Sequence, residues 1–134
     1  MKKILFTVAV ATMCVLCGCT SSHKQAEKLI AEYEQKSDSV SQLLGMMNVN
    51  FSTEEWEYVD ARAHVFQFET AAVVAENWNL TTAELYRQSG MWKKHAEEIK
   101  VPLTEEQEAY CSRYAEKEIY EATIFILKKW QELN

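Results

Sequence analysis

The 134-residue chain has room for one domain, and 48% hydrophobic with 25% charged residues is ordinary globular composition. Its formal net charge of −6 gives no electrostatic reason to bind nucleic acid or anionic head groups, so both are set aside as partners. Three glycines and one proline are too few for a turn-rich β fold and point to long, uninterrupted helices.

The chain opens with a basic Met1-Lys2-Lys3, followed by a mostly apolar run from Ile4 to Leu16. A run of about 13 residues is shorter than the roughly 20 a spanning helix requires, and suits the h-region of an export signal. It ends in Leu16-Cys17-Gly18-Cys19, which resembles the bacterial lipobox: an aliphatic residue, two small residues, then the cysteine that takes the lipid. Cys17 stands where that family usually has alanine or serine. The resemblance covers the first 19 residues only. It implies a cleaved signal over residues 1–18, acylation of Cys19 on its thiol and new amine, and a lipidated tether over 19–25. Several acyl chains, at about 0.8 kcal/mol per buried methylene, hold a protein far beyond reversible binding. The alternative is a plain secretory signal in which Cys19 is incidental. Thr20 rather than aspartate after Cys19 implies the outer membrane, and the lack of acids through Thr20-Ser21-Ser22-His23-Lys24 implies a position facing the periplasm.

This placement disposes of most of the cysteine count. Cys14, Cys17 and Cys19 all lie in the first 19 residues, so the CxxC spacing of Cys14 and Cys17 falls in the segment expected to be removed. Loss of Lys2 and Lys3 takes the net charge from −6 to −8.

Four helices are predicted over the remaining domain, residues 26–134, with the first beginning in the tether. Ala26, Ile30, Tyr33, Ser37, Val40, Leu44 and Met47 alternate steps of four and three, a heptad seam over about 23–47. Ser52 with Glu55 makes a capping box, and Phe51 with Trp56 a hydrophobic staple, opening a second helix that runs to about Trp78. Leu80-Thr81-Thr82-Ala83-Glu84-Leu85 repeats the device, with Thr81 as cap, Glu84 answering and Leu80 stapling Leu85. The third helix continues through Ser89, Trp92, Ala96 and Ile99, with Gly90 a candidate kink, and Pro102 closes it. Thr104 caps the fourth, whose core line is Ala115, Ile119, Ala122, Ile126, Trp130 and Leu133. Acids crowd the first turns of the second and fourth helices, while Lys93, Lys94, Lys128 and Lys129 fall late in the third and fourth, a polarity that suits the helix dipole. The fold expected is all-α, an antiparallel four-helix bundle.

No catalytic pattern can be placed: no GxSxG, glycine-rich phosphate loop or HExxH occurs. None of the three histidines has a carboxylate three residues before it, as carboxylate-bridged di-iron bundles need. No enzyme activity, metal or cofactor is therefore expected. Cys111, on the core side of the fourth helix, reads as a small buried thiol.

Two sets of residues carry the functional expectation. Asp60, His64 and Gln67 stack on one side of the second helix between two apolar faces, as a core hydrogen-bond network, a solvated groove or a ligand site would. Tyr120 and Ile124, with Tyr110 and Tyr114 towards the same side of the fourth helix, are a candidate interaction surface, as is the second apolar face of the second helix. The function expected is a lipid-anchored, non-enzymatic module that binds another envelope protein or itself. The alternative is a periplasmic small-ligand carrier using the interior beside Asp60, His64 and Gln67.

Overall fold

The computed structural model describes residues 22–134. The signal, Cys19 and the first residues of the tether lie outside the described residues. Those described form four helices: α1 (Ser22–Met46), α2 (Thr53–Asn77), α3 (Ala83–Glu98) and α4 (Glu105–Leu133), with no strand among them. This is the all-α four-helix bundle the periodicity predicts. α3, at 16 residues, is shorter than expected.

Contacts between rings fix the helix directions. Trp56 and Tyr114 meet near the starts of α2 and α4 at 5.1 Å, and Trp78 and Trp130 near their ends at 4.8 Å, so these two helices run parallel. α1 runs antiparallel to α4, with His23 4.9 Å from Trp130 and Tyr33 5.7 Å from Tyr120. α3 runs antiparallel to α2, with His64 stacked on Trp92 at 4.1 Å and the Tyr86 hydroxyl donating to Glu76 at 3.0 Å. The main packing contacts join α1 to α4, α4 to α2, and α2 to α3. In space the helices therefore follow the order α1–α4–α2–α3. One end of the bundle gathers the start of α1, the α2–α3 loop and the end of α4, and is called here the near end. The far end gathers the starts of α2 and α4.

Packing follows the expected seams. Ala26, Ile30, Tyr33, Ser37 and Val40 are buried on α1, and with Ala71, Val74, Trp78, Ala122, Ile126 and Leu127 most of them form a core shared by α1, α2 and α4. Cys111 is buried, as its place on the wheel predicts. α2 is buried on both sides because it packs against α4 on one face and α3 on the other. The second apolar face of α2 is thus largely covered by α3. Leu133, expected on the core line of α4, is instead 65% exposed, since the helix has by then run past the ends of its neighbours.

Two of the three expected caps form. Ser52 accepts from the Glu55 N–H at 3.1 Å while Glu55 accepts from the Ser52 N–H at 2.8 Å, and Phe51 packs on Trp56 at 5.8 Å. Thr104 and Gln107 make the same reciprocal pair at 3.1 and 2.9 Å. The Thr81–Glu84 box does not form: the cap of α3 is Thr82, without a side-chain bond. That one-residue shift puts Glu84 at the second helical position, from which it turns to Arg87 and Gln88. The shift has a local cause. Asn79 sits at φ 59°, the Asn79 N–H bonds Glu76 O at 3.2 Å, and the Leu80 N–H bonds Ala75 O at 2.7 Å. These bonds close α2 in a Schellman motif, with asparagine where glycine is commoner. Leu80 is thereby committed to the end of α2, packing against the core.

The acidic first turns of α2 and α4 are present, but the lysines stop short of the helix ends. The last turn of α3 holds only His95 as a basic residue and that of α4 holds none, so the dipole complement falls on the N-terminal ends alone. Gly90 lies within a continuous α3.

Candidate functional site

Because α3 and α4 both pack on α2, a furrow runs between them with α2 as its floor. Gln67, Phe68 and Ala71 of α2 line that floor, Glu118, Glu121, Ala122 and Phe125 of α4 form one wall, and Leu85 of α3 contributes to the other. The groove measures about 420 Å³ and its lining is mainly apolar. Phe125 stands at its lip, 65% exposed, an aromatic ring with no place in the core. The seam of α4 already carries Ala122 and Ile126 into the core, which leaves position 125 facing outwards.

The polar line of α2 meets the groove at its Gln67 end. Tyr114 donates its hydroxyl to Asp60 at 3.1 Å across the α2–α4 contact. His64 Nδ1 lies 2.8 Å from the Asp60 carbonyl oxygen and 3.5 Å from its carboxylate, and the imidazole stacks on Trp92. A carbonyl oxygen can only accept, so Nδ1 carries the proton of this bond. The three residues named from sequence are therefore half-buried neighbours, Asp60 tied to α4, His64 to α3, and Gln67 in the groove. Among the described residues, no group of three or more His, Cys, Asp or Glu side chains is arranged to hold a metal ion.

Two titrating groups respond to this setting. Burial, with the charges of Glu118 and Asp60 and the bond to Asp60, pushes the Tyr114 hydroxyl well above its usual range, so it remains a donor at any physiological pH. Burial also raises the Glu118 carboxyl, reinforced by Glu121 and Asp60 and opposed by Lys117 and His64. The folded state thus holds the Glu118 proton more tightly than the unfolded chain does. Stability associated with this group falls as pH rises from the ordinary carboxylate range through the raised value. Glu118→Gln is accordingly expected to raise the thermal midpoint at pH 7. The gain should shrink to nothing below the ordinary carboxylate range, measured by circular dichroism melts across pH.

The tyrosines named from sequence do not form one surface. Tyr110 and Tyr114 pack with Phe51 and Trp56 at the far end, where α2 meets α4, with centroids 5.3 Å apart for Phe51–Tyr110. Tyr120 lies against Tyr33 on the α1 side, donates to Glu116 at 3.4 Å, and has Lys36 Nζ 5.9 Å from its ring. Ile124 is half-buried and packs against the core. Phe125, one residue further, is an exposed ring outside the set named from sequence. The signal was present: Phe125 lies on the wheel beside Glu118 and Glu121, off the core line.

Comparison with protein-family models, curated proteins and solved structures finds no match for this chain.

Proposed function

We propose that this protein is a lipid-anchored component of the bacterial cell envelope. It acts as a non-enzymatic interaction module that binds a partner protein segment in the groove between α3 and α4. The exposed Phe125 beside an apolar groove carries this reading. A large ring held out at the lip of an apolar furrow is the type of anchor on which interfaces concentrate their binding energy. Glu118 and Glu121 at the wall favour an occupant with an apolar face and basic flanks, such as one amphipathic helix. Anchorage through acylated Cys19, on the periplasmic face of the outer membrane, is part of the same proposal and rests on the lipobox resemblance.

A second reading draws on the junction of the groove with Gln67 and the raised Glu118 carboxyl: a carrier for a small apolar ligand bearing a hydrogen-bonding group. The two diverge under a photo-crosslinking amino acid at position 125 in intact cells. The interaction reading expects one discrete protein adduct, abolished by Leu85→Glu and absent when the probe is placed at exposed Lys94. Absence of any protein adduct at position 125, with a small molecule co-purifying, would replace it by the carrier.

A further inference from the structure

The tether and the charge layout together orient the molecule. Cys19 and Ser22 are three residues apart, so their Cα atoms stand at most about 11 Å from one another even in a fully extended chain. A lipid on Cys19 therefore brings the first turn of α1 to the membrane surface. What lies at that end of the fold is specific. Trp78 and Trp130 pack edge to face there, His23 sits 4.9 Å from Trp130, and Leu133 is 65% exposed beyond them. The buried indole N–H of Trp78 finds no acceptor among the described residues. Lys24, Lys28, Lys128 and Lys129 surround this end, and Lys128 reaches Glu34 at 3.5 Å.

The far end has the opposite character. Since α2 and α4 run parallel, their acidic first turns, with Glu54, Glu55, Glu105, Glu106 and Glu108, lie side by side. Lys93, Lys94 and Lys100, at the close of the antiparallel α3, share this end but are outnumbered by its acids, so an anionic bilayer repels it, while lysines offset the acids at the other end. Tryptophan with lysine at a membrane-facing end is the composition that settles into head groups, rings at the boundary and ammonium groups among phosphates.

We infer that the bundle stands end-on, its near end seated in the head-group layer of a phospholipid membrane through Trp130, Leu133 and the surrounding lysines. This rests on the lipid-anchor reading of Cys19. End-on standing places the acidic tip about 40 Å from the surface along α4. The groove then faces sideways, open to a segment held on the same membrane.

The test uses the full chain expressed in a bacterium and purified from its membranes. The protein is reconstituted into phosphatidylethanolamine–phosphatidylglycerol vesicles containing brominated phospholipid. An environment-sensitive fluorophore is attached at Leu133→Cys or Glu106→Cys, both exposed positions, while buried Cys111 stays unlabelled. Quenching several-fold stronger at position 133 than at 106 is expected. Equal quenching at both would mean the bundle lies on its side, and no quenching at either would mean it stands off on its tether; each outcome overturns the orientation and leaves the anchor in place. A full chain recovered only in the soluble fraction, with no acyl mass on Cys19, overturns the anchor as well as the orientation.

Discussion

Leu127→Ala is expected to lower stability by about 3–5 kcal/mol, near the top of the range for large-to-small changes in well-packed cores. Leu127 is completely buried on α4, in the cluster that joins Leu29, Ile30 and Tyr33 of α1 to Val74 and Trp78 of α2. Truncation removes the transfer energy of the lost carbons and leaves a cavity that surrounding helices cannot close without losing their own contacts. For a domain of this size, whose total stability is on the order of 5–15 kcal/mol, that is a large fraction. The thermal midpoint should fall by more than about 10 °C. Hydrogen exchange should locate the damage: α1, whose main partner is α4, should lose protection first, while the α2–α3 pair retains more. Equal loss in all four helices would show that the bundle opens only as one unit.

Gln107→Ala is expected to cost about 2–3 kcal/mol, although it removes only one polar side chain. Gln107 is 8% exposed, and its amide serves both helices of the parallel pair. Its oxygen accepts from the Thr104 N–H, closing the α4 cap, while its nitrogen donates to Asn50 O at 3.0 Å and Glu55 Oε1 at 3.0 Å. One residue thus completes the α4 capping box, holds the loop before α2, and joins the two caps. Glu55 is held below the usual carboxylate range, first by the Ser52 N–H and then by Gln107 and the Ser52 hydroxyl. Its contribution is present above the ordinary carboxylate value and is lost as pH falls through the lowered one. Gln107→Glu separates the roles. It retains an oxygen for Thr104 but places a second carboxylate against Glu55, so its deficit against wild type should shrink on acidification. The Gln107→Ala deficit should keep its cap component at all pH values. Urea unfolding at pH 7 and pH 4 distinguishes them.

Sequence pattern carried the helices because their signals are local. A step of three and four along α1 needs no knowledge of α4, and Ser52 with Glu55 caps a helix wherever that helix goes. The failures come where two local devices compete or where partners decide. Leu80 could staple the helix after it or close the helix before it, and Asn79 in the left-handed region settled it for the latter. Which faces end up covered depends on helix order in space, which periodicity does not encode. The second face of α2 received α3, Tyr120 received α1, and Phe125 was left outside. Asp60, His64 and Gln67 were legible as a polar line, but the groove they adjoin exists only because α3 and α4 share α2 without closing over it.

The docking of α1 on α4 bears on the order in which the chain can fold. Ser37 meets Glu121 across 84 residues of sequence. Among the main packing contacts of the described residues, only the α2–α3 pairing joins helices adjacent in sequence, so contact order is high for an all-helical domain. A chain made from its N-terminus delivers α1 long before α4. Until α4 arrives, the apolar seam through Ala26, Ile30, Tyr33 and Val40 has no surface to close on. α1 therefore cannot complete its packing until the last helix is made, and the growing chain carries an uncovered apolar stripe until then.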